Sequence, residues 1–144
     1  MIYTKLTRLA MQIAYRAHHG QVDKSQIPYI YHPIHLAEQM TDEYTTCVAL
    51  LHDVVEDTEV TLEELAKVFP AEVVDAVGLM THDPAVSYPE YVRHIKQNPL
   101  ACQVKLADLK HNMDITRIDK PDEKALSRIN DKYKKALQIL QQEE

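Results

Sequence analysis

Apolar residues recur every three or four positions along most of this chain, and that spacing predicts a succession of helices. Leu6, Leu9, Ala10, Ile13, Ala14 and Ala17 follow Thr4 at helical intervals, so a first helix is expected to reach about His19 and stop at Gly20. Gln21 to Tyr31 reads as a loop, and His32-Pro33 as a helix start, because proline tolerates the first helical position, where its missing N–H would be unpaired anyway. Glu43 to Val55 is apolar almost all round in its middle, from Cys47 to Leu51, which predicts a central helix packed on several sides.

Farther along, Thr61-Leu62-Glu63-Glu64 fits a capping box opening a short helix through Val68. Pro70-Ala71 begins another, carrying Val73, Val74, Val77 and Met80. After a loop from His82 to Ser87, Pro89 to Gln97 forms an amphipathic helix with Tyr91, Val92 and Ile95 inside. Asn98-Pro99 launches a helix from Leu100 to about Met113, with Asp108 late in it. Beyond the Pro121-Asp122 break, Leu126, Ile129, Tyr133, Ala136, Leu137 and Leu140 mark a last helix. No alternation of period two is sustained, and with two glycines there is no Asn-Gly or Asp-Gly hairpin signal. The expected class is all-α, a compact helical bundle, with residues 1–144 as a single domain.

Composition narrows the picture. Apolar residues make up 45% of the chain and charged residues 26%, which excludes a disordered or membrane class. No apolar run approaches the roughly 18 residues of a membrane span, and the N-terminus lacks the pattern of a signal peptide, so a cytoplasmic location is expected. Cys47 and Cys102 lie among apolar neighbours and read as small hydrophobes rather than a disulfide pair. A net charge of −6 argues against binding a nucleic acid polymer. It leaves room for a small phosphorylated ligand, provided a cation and local basic groups offset the repulsion. Lys105, Lys110, Arg117, Lys120, Arg128, Lys132, Lys134 and Lys135 supply candidates, most of them expected on solvated helix faces.

The chemistry concentrates in two clusters. His52-Asp53-Val54-Val55-Glu56-Asp57 gathers three carboxylates and an imidazole at a helix C-terminus. Like charges at this spacing cost a few tenths of a kcal/mol per pair, and carboxylates there oppose the helix dipole by roughly 0.3 to 1 kcal/mol each. A divalent cation removes both objections. In the second cluster, Lys105, Asp108 and Asn112 share a helical face. His32 stands beside Pro33 in aromatic and apolar surroundings, an odd place for an imidazole without a partner. His35, His82 and His94 read as structural or solvated, while His18 and His111 are open. Two imidazoles and two carboxylates suit Mn, Fe, Co or Zn, with open positions for water. Such a metal activates water and polarises a phosphoryl oxygen, leaving Glu56 and Asp57 to manage protons.

These residues resemble the HD-domain phosphohydrolases, a helical superfamily named for adjacent His and Asp ligands. The match runs His32, His52-Asp53, Asp108. Within it, the chain is similar to the hydrolase domain of RelA/SpoT-like enzymes, from about residue 5 to residue 137. The motifs are Ala17-His18-His19-Gly20-Gln21, Pro28-Tyr29-Ile30-Tyr31-His32-Pro33, Ala49-Leu50-Leu51-His52-Asp53-Val54-Val55-Glu56-Asp57-Thr58, and Val104-Lys105-Leu106-Ala107-Asp108 followed by His111-Asn112-Met113. The resemblance implies one Mn²⁺ held by His32, His52, Asp53 and Asp108, and a water activated by Glu56 and Asp57. It also implies contacts from Lys24, Asn112 and Tyr133 to a phosphorylated nucleotide, and Lys105 beside Asp108 is a further candidate for the substrate. The implied reaction removes the 3′-diphosphate of ppGpp or pppGpp. With no room for a synthetase domain, hydrolysis without synthesis is expected. Asp23, Leu109 and Asp114 stand where the family commonly has arginines. Three readings are therefore open: a small alarmone hydrolase, an HD enzyme for another phosphorylated nucleotide or phosphate ester, and a helical interaction module. The sequence is silent on oligomeric state.

Overall fold

Side-chain caps fix where most of the helices begin. In the computed structural model, which describes residues 1–142, Thr4 opens α1 (Lys5–His18) by accepting from the Thr7 N–H, and Thr7 returns the bond in a reciprocal box. Asp42 does the same work for α3 (Glu43–Leu51), Thr61 for α5 (Leu62–Ala66), Ser87 for α7 (Tyr88–Lys96), Asn98 for α8 (Pro99–Asn112) and Asp122 for α9 (Glu123–Ser127). Each cap satisfies a donor that the helix itself cannot, typically worth about 1 kcal/mol. The remaining helices are α2 (Tyr31–Glu38), α4 (Val54–Asp57), α6 (Ala71–Met80) and α10 (Lys134–Gln141).

The class expected from the hydrophobic spacing is borne out: the described residues are helices and connections, and their extended pairing amounts to one isolated bridge, Val22 with Pro28. Helix α3 is the hub. Every residue from Thr45 to Leu51 is buried, and α1, α2, α6 and α8 surround it. Cys47 lies in that core as a free thiol and Cys102 is free and half-buried, so neither is bridged. Among the described residues, no helix is long and apolar enough to cross a membrane.

Two departures from the expected helices matter. The predicted Glu43–Val55 helix is broken: α3 ends at Leu51, Asp53 sits at φ −107°, ψ 0°, and α4 starts afresh at Val54. The imidazole of His52 donates from Nδ1 to the Ala49 carbonyl at 2.7 Å, taking the acceptor that one more helical turn would need. The last helix is broken too, by a π-helical stretch, Arg128–Tyr133, between α9 and α10. Smaller shifts are also present: Pro33 is the third helical residue rather than the first, still within the turn whose N–H groups lack helical partners, and a 3₁₀ turn covers Ile115–Arg117.

Candidate metal centre and its cleft

Four side chains from three segments meet at the hub. His32 enters from the start of α2, His52 and Asp53 from the break after α3, and Asp108 from α8. Nε2 of His32 lies 2.9 Å from Asp108 Oδ1, Nε2 of His52 lies 3.0 Å from Asp53 Oδ2 and 3.7 Å from Asp108 Oδ1, and the two imidazole rings are 5.2 Å apart. On a straight helix, adjacent side chains point about 100° apart. The break after Leu51 is what lets His52 and Asp53 share one focus.

The donor set has the character of a metal site. With Nδ1–H committed to Ala49, a neutral His52 turns the lone pair of Nε2 toward two carboxylates, and this buried atom has no hydrogen-bond partner. Two carboxylates and an orphaned nitrogen lone pair in one buried place call for a cation. Without a metal, a proton serves: burial disfavours the imidazolium, but Asp53 and Asp108 outweigh it and hold the pKa of His52 well above its ordinary value. Burial likewise works against ionising Asp108, yet Lys105, His32 and His52 hold it well below the usual carboxylate range. The residues fit a divalent ion of the kind the sequence implied.

A surrounding layer orients these groups. Tyr29 donates its hydroxyl to Asp53 Oδ2 in a short bond. His111 meets Nδ1 of His32 at 2.7 Å, which fixes the ring so that Nε2 faces the centre. Asn112 Nδ2 donates to Asp108 Oδ1 at 3.0 Å. Lys105 is buried, and its ammonium sits 2.9 Å from Asp108 Oδ2 between the rings of Tyr88 and Tyr91. In this structure the ammonium is paired with that carboxylate.

Glu56 and Asp57 project from α4 at the exposed edge. Asp53, Glu56 and Asp57 each place an oxygen within 4.8 Å of the others. Glu56 Oε1 accepts the backbone N–H of His82 at 2.8 Å, which holds it in place. Burial, Asp53 and Glu56 raise the pKa of Asp57 to about 6.

Beyond His32 a cleft of about 390 Å³ opens, lined by Lys24, Asn112 and Tyr133 together with Arg117 and Arg128. A larger groove between α1 and α5 reaches Asp57 but not the imidazoles. The two arginines are among the eight basic candidates named from the sequence, and nothing in their local sequence marks them out from the other six. The three positions lacking family arginines have other work. Asp23 accepts the N–H groups of Ser25 and Ile27, Asp114 accepts the N–H of Thr116, and Leu109 is fully buried in the core. The bland reading holds for His94, which is exposed, and for His82, whose Nε2 meets the Val86 carbonyl. His35 is exposed and stacks on His111 at 4.0 Å. His18 is buried against Tyr29 with Nδ1 on Gln21 Oε1.

Residues 10–82 match the HD domain family. The chain belongs to the HD-domain family. This HD domain is 35% identical over 130 residues to guanosine-3′,5′-bis(diphosphate) 3′-pyrophosphohydrolase MESH1 of Danio rerio, covering 82% of this chain and 72% of that one. It is 33% identical over 135 residues to the bifunctional (p)ppGpp synthase/hydrolase SpoT of Escherichia coli, covering 83% of this chain but only 19% of SpoT. A solved structure described as a metazoan ortholog of SpoT that hydrolyzes ppGpp superposes with a TM-score of 0.80 at 27% identity, covering 98% of this chain and 88% of that one. Family membership carries the class of chemistry, metal-dependent phosphohydrolysis, and with it a divalent metal.

Proposed function

We propose that residues 1–144 act as one HD phosphohydrolase domain that removes the 3′-diphosphate of ppGpp. One observation carries the reading: the orphaned Nε2 of His52, aimed at two carboxylates, stands beside His32, where a cation-lined cleft ends. The names of MESH1 and of the SpoT ortholog support the choice of nucleotide.

In this reading His32, His52, Asp53 and Asp108 hold one Mn²⁺, a set that Fe, Co or Zn also suits. When bound, the metal lowers the pKa of water and polarises a phosphoryl oxygen. The chain does the rest. Lys24, Arg117 and Arg128 draw the substrate's negative charge into the cleft, with Tyr133 at its wall. Asn112 holds Asp108 from the cleft side, and Lys105 balances that carboxylate from behind as a positioning residue. Water attacks the 3′-linked phosphorus and Asp57, at the exposed edge beside Asp53 and Glu56, takes its proton. Glu56, fixed by the His82 N–H, orients the water. The P–O bond to the ribose breaks and the departing 3′-oxygen takes up a proton from solvent, giving pyrophosphate and GDP with a free 3′-hydroxyl.

A second reading rests on Asp23 and Asp114, acids at the cleft where the family's arginines would stand. They favour a phosphorylated nucleotide other than a guanine alarmone. Purified protein with Mn²⁺, offered ppGpp beside a panel of nucleotides and phosphate esters, separates the two. Turnover of ppGpp above the panel, abolished by Asp53→Ala, supports the first reading. Turnover of another compound with ppGpp untouched replaces it with the second.

A further inference from the structure

Two exposed lysines of the C-terminal segment have different neighbours. Lys134 reaches back to Asn130. Lys132 lies over aromatic rings, with Nζ 4.5 Å from the centroid of the Tyr88 ring and 5.9 Å from that of Tyr133. Tyr88 in turn is shared with Lys105, whose ammonium lies 5.8 Å from the same ring and is bonded to Asp108. A line of groups therefore runs from the metal centre outward: Asp108, Lys105, Tyr88, Lys132.

The two ends of that line differ in their electrostatics. Lys105 is neutralised by the carboxylate it touches, whereas Lys132 forms no ion pair among the described residues. Its surroundings do not favour its charge: partial burial and the nearby cations Lys105 and Arg128 lower its pKa, with Glu56 opposing them. Lys132 thus stands within electrostatic reach of both Glu56 and Arg128. The π-helical stretch makes this possible, since its wider winding brings Lys132 over Tyr88 while its neighbour Tyr133 lines the cleft. A lysine held over aromatic faces without a carboxylate partner keeps its donors available to an anion.

We propose that Lys132, seated on Tyr88, binds the distal phosphate of a diphosphate group whose inner phosphate lies at the metal centre. This rests on the reading that the chain acts on a phosphorylated nucleotide there, and it deepens that reading by selecting a diphosphate over a monophosphate. No cation of the family's pattern is required for it. The lysine offsets part of the positive charge lost at positions 23, 109 and 114.

Calorimetric titration of the Mn²⁺-loaded protein with inorganic pyrophosphate, and separately with inorganic phosphate, tests the assignment without relying on turnover. Lys132→Met is expected to weaken pyrophosphate binding about tenfold or more, in line with the loss of one charge-assisted hydrogen bond, while changing phosphate binding less than about twofold. Lys132→Arg is expected to restore most of the pyrophosphate affinity. The proposal is overturned if Lys132→Met leaves pyrophosphate affinity unchanged, if both anions weaken equally, or if the wild-type protein does not bind pyrophosphate. Failure of the substrate reading looks different: ppGpp is not hydrolysed, yet pyrophosphate binding still depends on Lys132.

Discussion

Tyr29 shows how much of the site lies outside the ligand set. Its hydroxyl donates to Asp53 Oδ2, so it aims one of the proposed ligands and, against the opposing effect of burial, helps His52 to lower that carboxylate's pKa. Partners of this kind typically account for 10- to 100-fold in metal affinity. Tyr29→Phe is therefore expected to weaken Mn²⁺ binding by about that factor while leaving the melting temperature of the metal-free protein nearly unchanged, and titration calorimetry reads the first number. An unchanged affinity would show that the hydroxyl is ornamental. Asp57 offers a second check through pH. In the folded, metal-free chain its carboxyl keeps a proton up to about pH 6, against an ordinary 3.8. The folded state binds that proton more tightly than the unfolded state, so stability is lost as pH rises from about 4 through 6. Removing the charge with Asp57→Asn is expected to raise the melting temperature of the metal-free protein by a few degrees at pH 7 and by almost nothing at pH 4, in thermal scans at the two pH values. His52-Asp53 drew attention in the sequence by violating local charge rules and His32 by having no obvious partner, whereas Asp108, with Lys105 a turn away, joined them only through the family resemblance. The roles of Tyr29 and His111 were not legible, because a tyrosine and a histidine in a mixed loop or helix end violate nothing until the folded chain brings Asp53 and His32 against them.

At the level of helices, the hydrophobic pattern located nearly every element and missed both interruptions. The apolar run through Cys47–Leu51 continues into Val54 and Val55 without a change of period, so the break at His52-Asp53 has no periodic signature. It comes from one side-chain bond, His52 to the Ala49 carbonyl. The π-helical stretch is hidden in the same way, because Ile129, Tyr133, Ala136 and Leu140 keep intervals of three and four. Deleting the exposed residue Asn130 removes the extra residue of that stretch. Since α10 is anchored by buried Ala136 and Leu140 whereas α9 has no buried residue, the strain of the deletion falls on the α9 side. Arg128 is expected to rotate away from the cleft while Lys132 and Tyr133 keep their places. The melting temperature should fall by only a few degrees, and GDP should bind about tenfold more weakly, as measured by fluorescence or calorimetry. Retention of full GDP affinity would mean that the π winding has no part in nucleotide binding.

The whole molecule is a hub-and-shell arrangement in which an acidic chain of net charge −6 turns two carboxylates, Asp53 and Asp108, inward at one end of a central helix. Hydrophobic spacing sufficed to read that architecture, a charge anomaly pointed to His52-Asp53, and the full set of proposed metal ligands came from the family resemblance. Arg117 and Arg128 could not be singled out from the other basic candidates, because whether a basic residue near the C-terminus meets solvent or a cleft is settled only when that segment docks on the rest of the fold. Binding of a cation should be visible in global stability. At a free Mn²⁺ concentration of 100 times Kd, linkage adds about 2.7 kcal/mol, which for a chain of this size raises the melting temperature by roughly 5–10 °C. A chelator should reverse the shift, and Asp53→Ala should abolish it. The most direct test of the central claim is anomalous diffraction from crystals grown with Mn²⁺. The arrangement predicts one strong manganese peak bonded to Nε2 of His32, Nε2 of His52 and carboxylate oxygens of Asp53 and Asp108. A peak held instead by Glu56 and Asp57 without the imidazoles, or no peak within reach of His52, would contradict it.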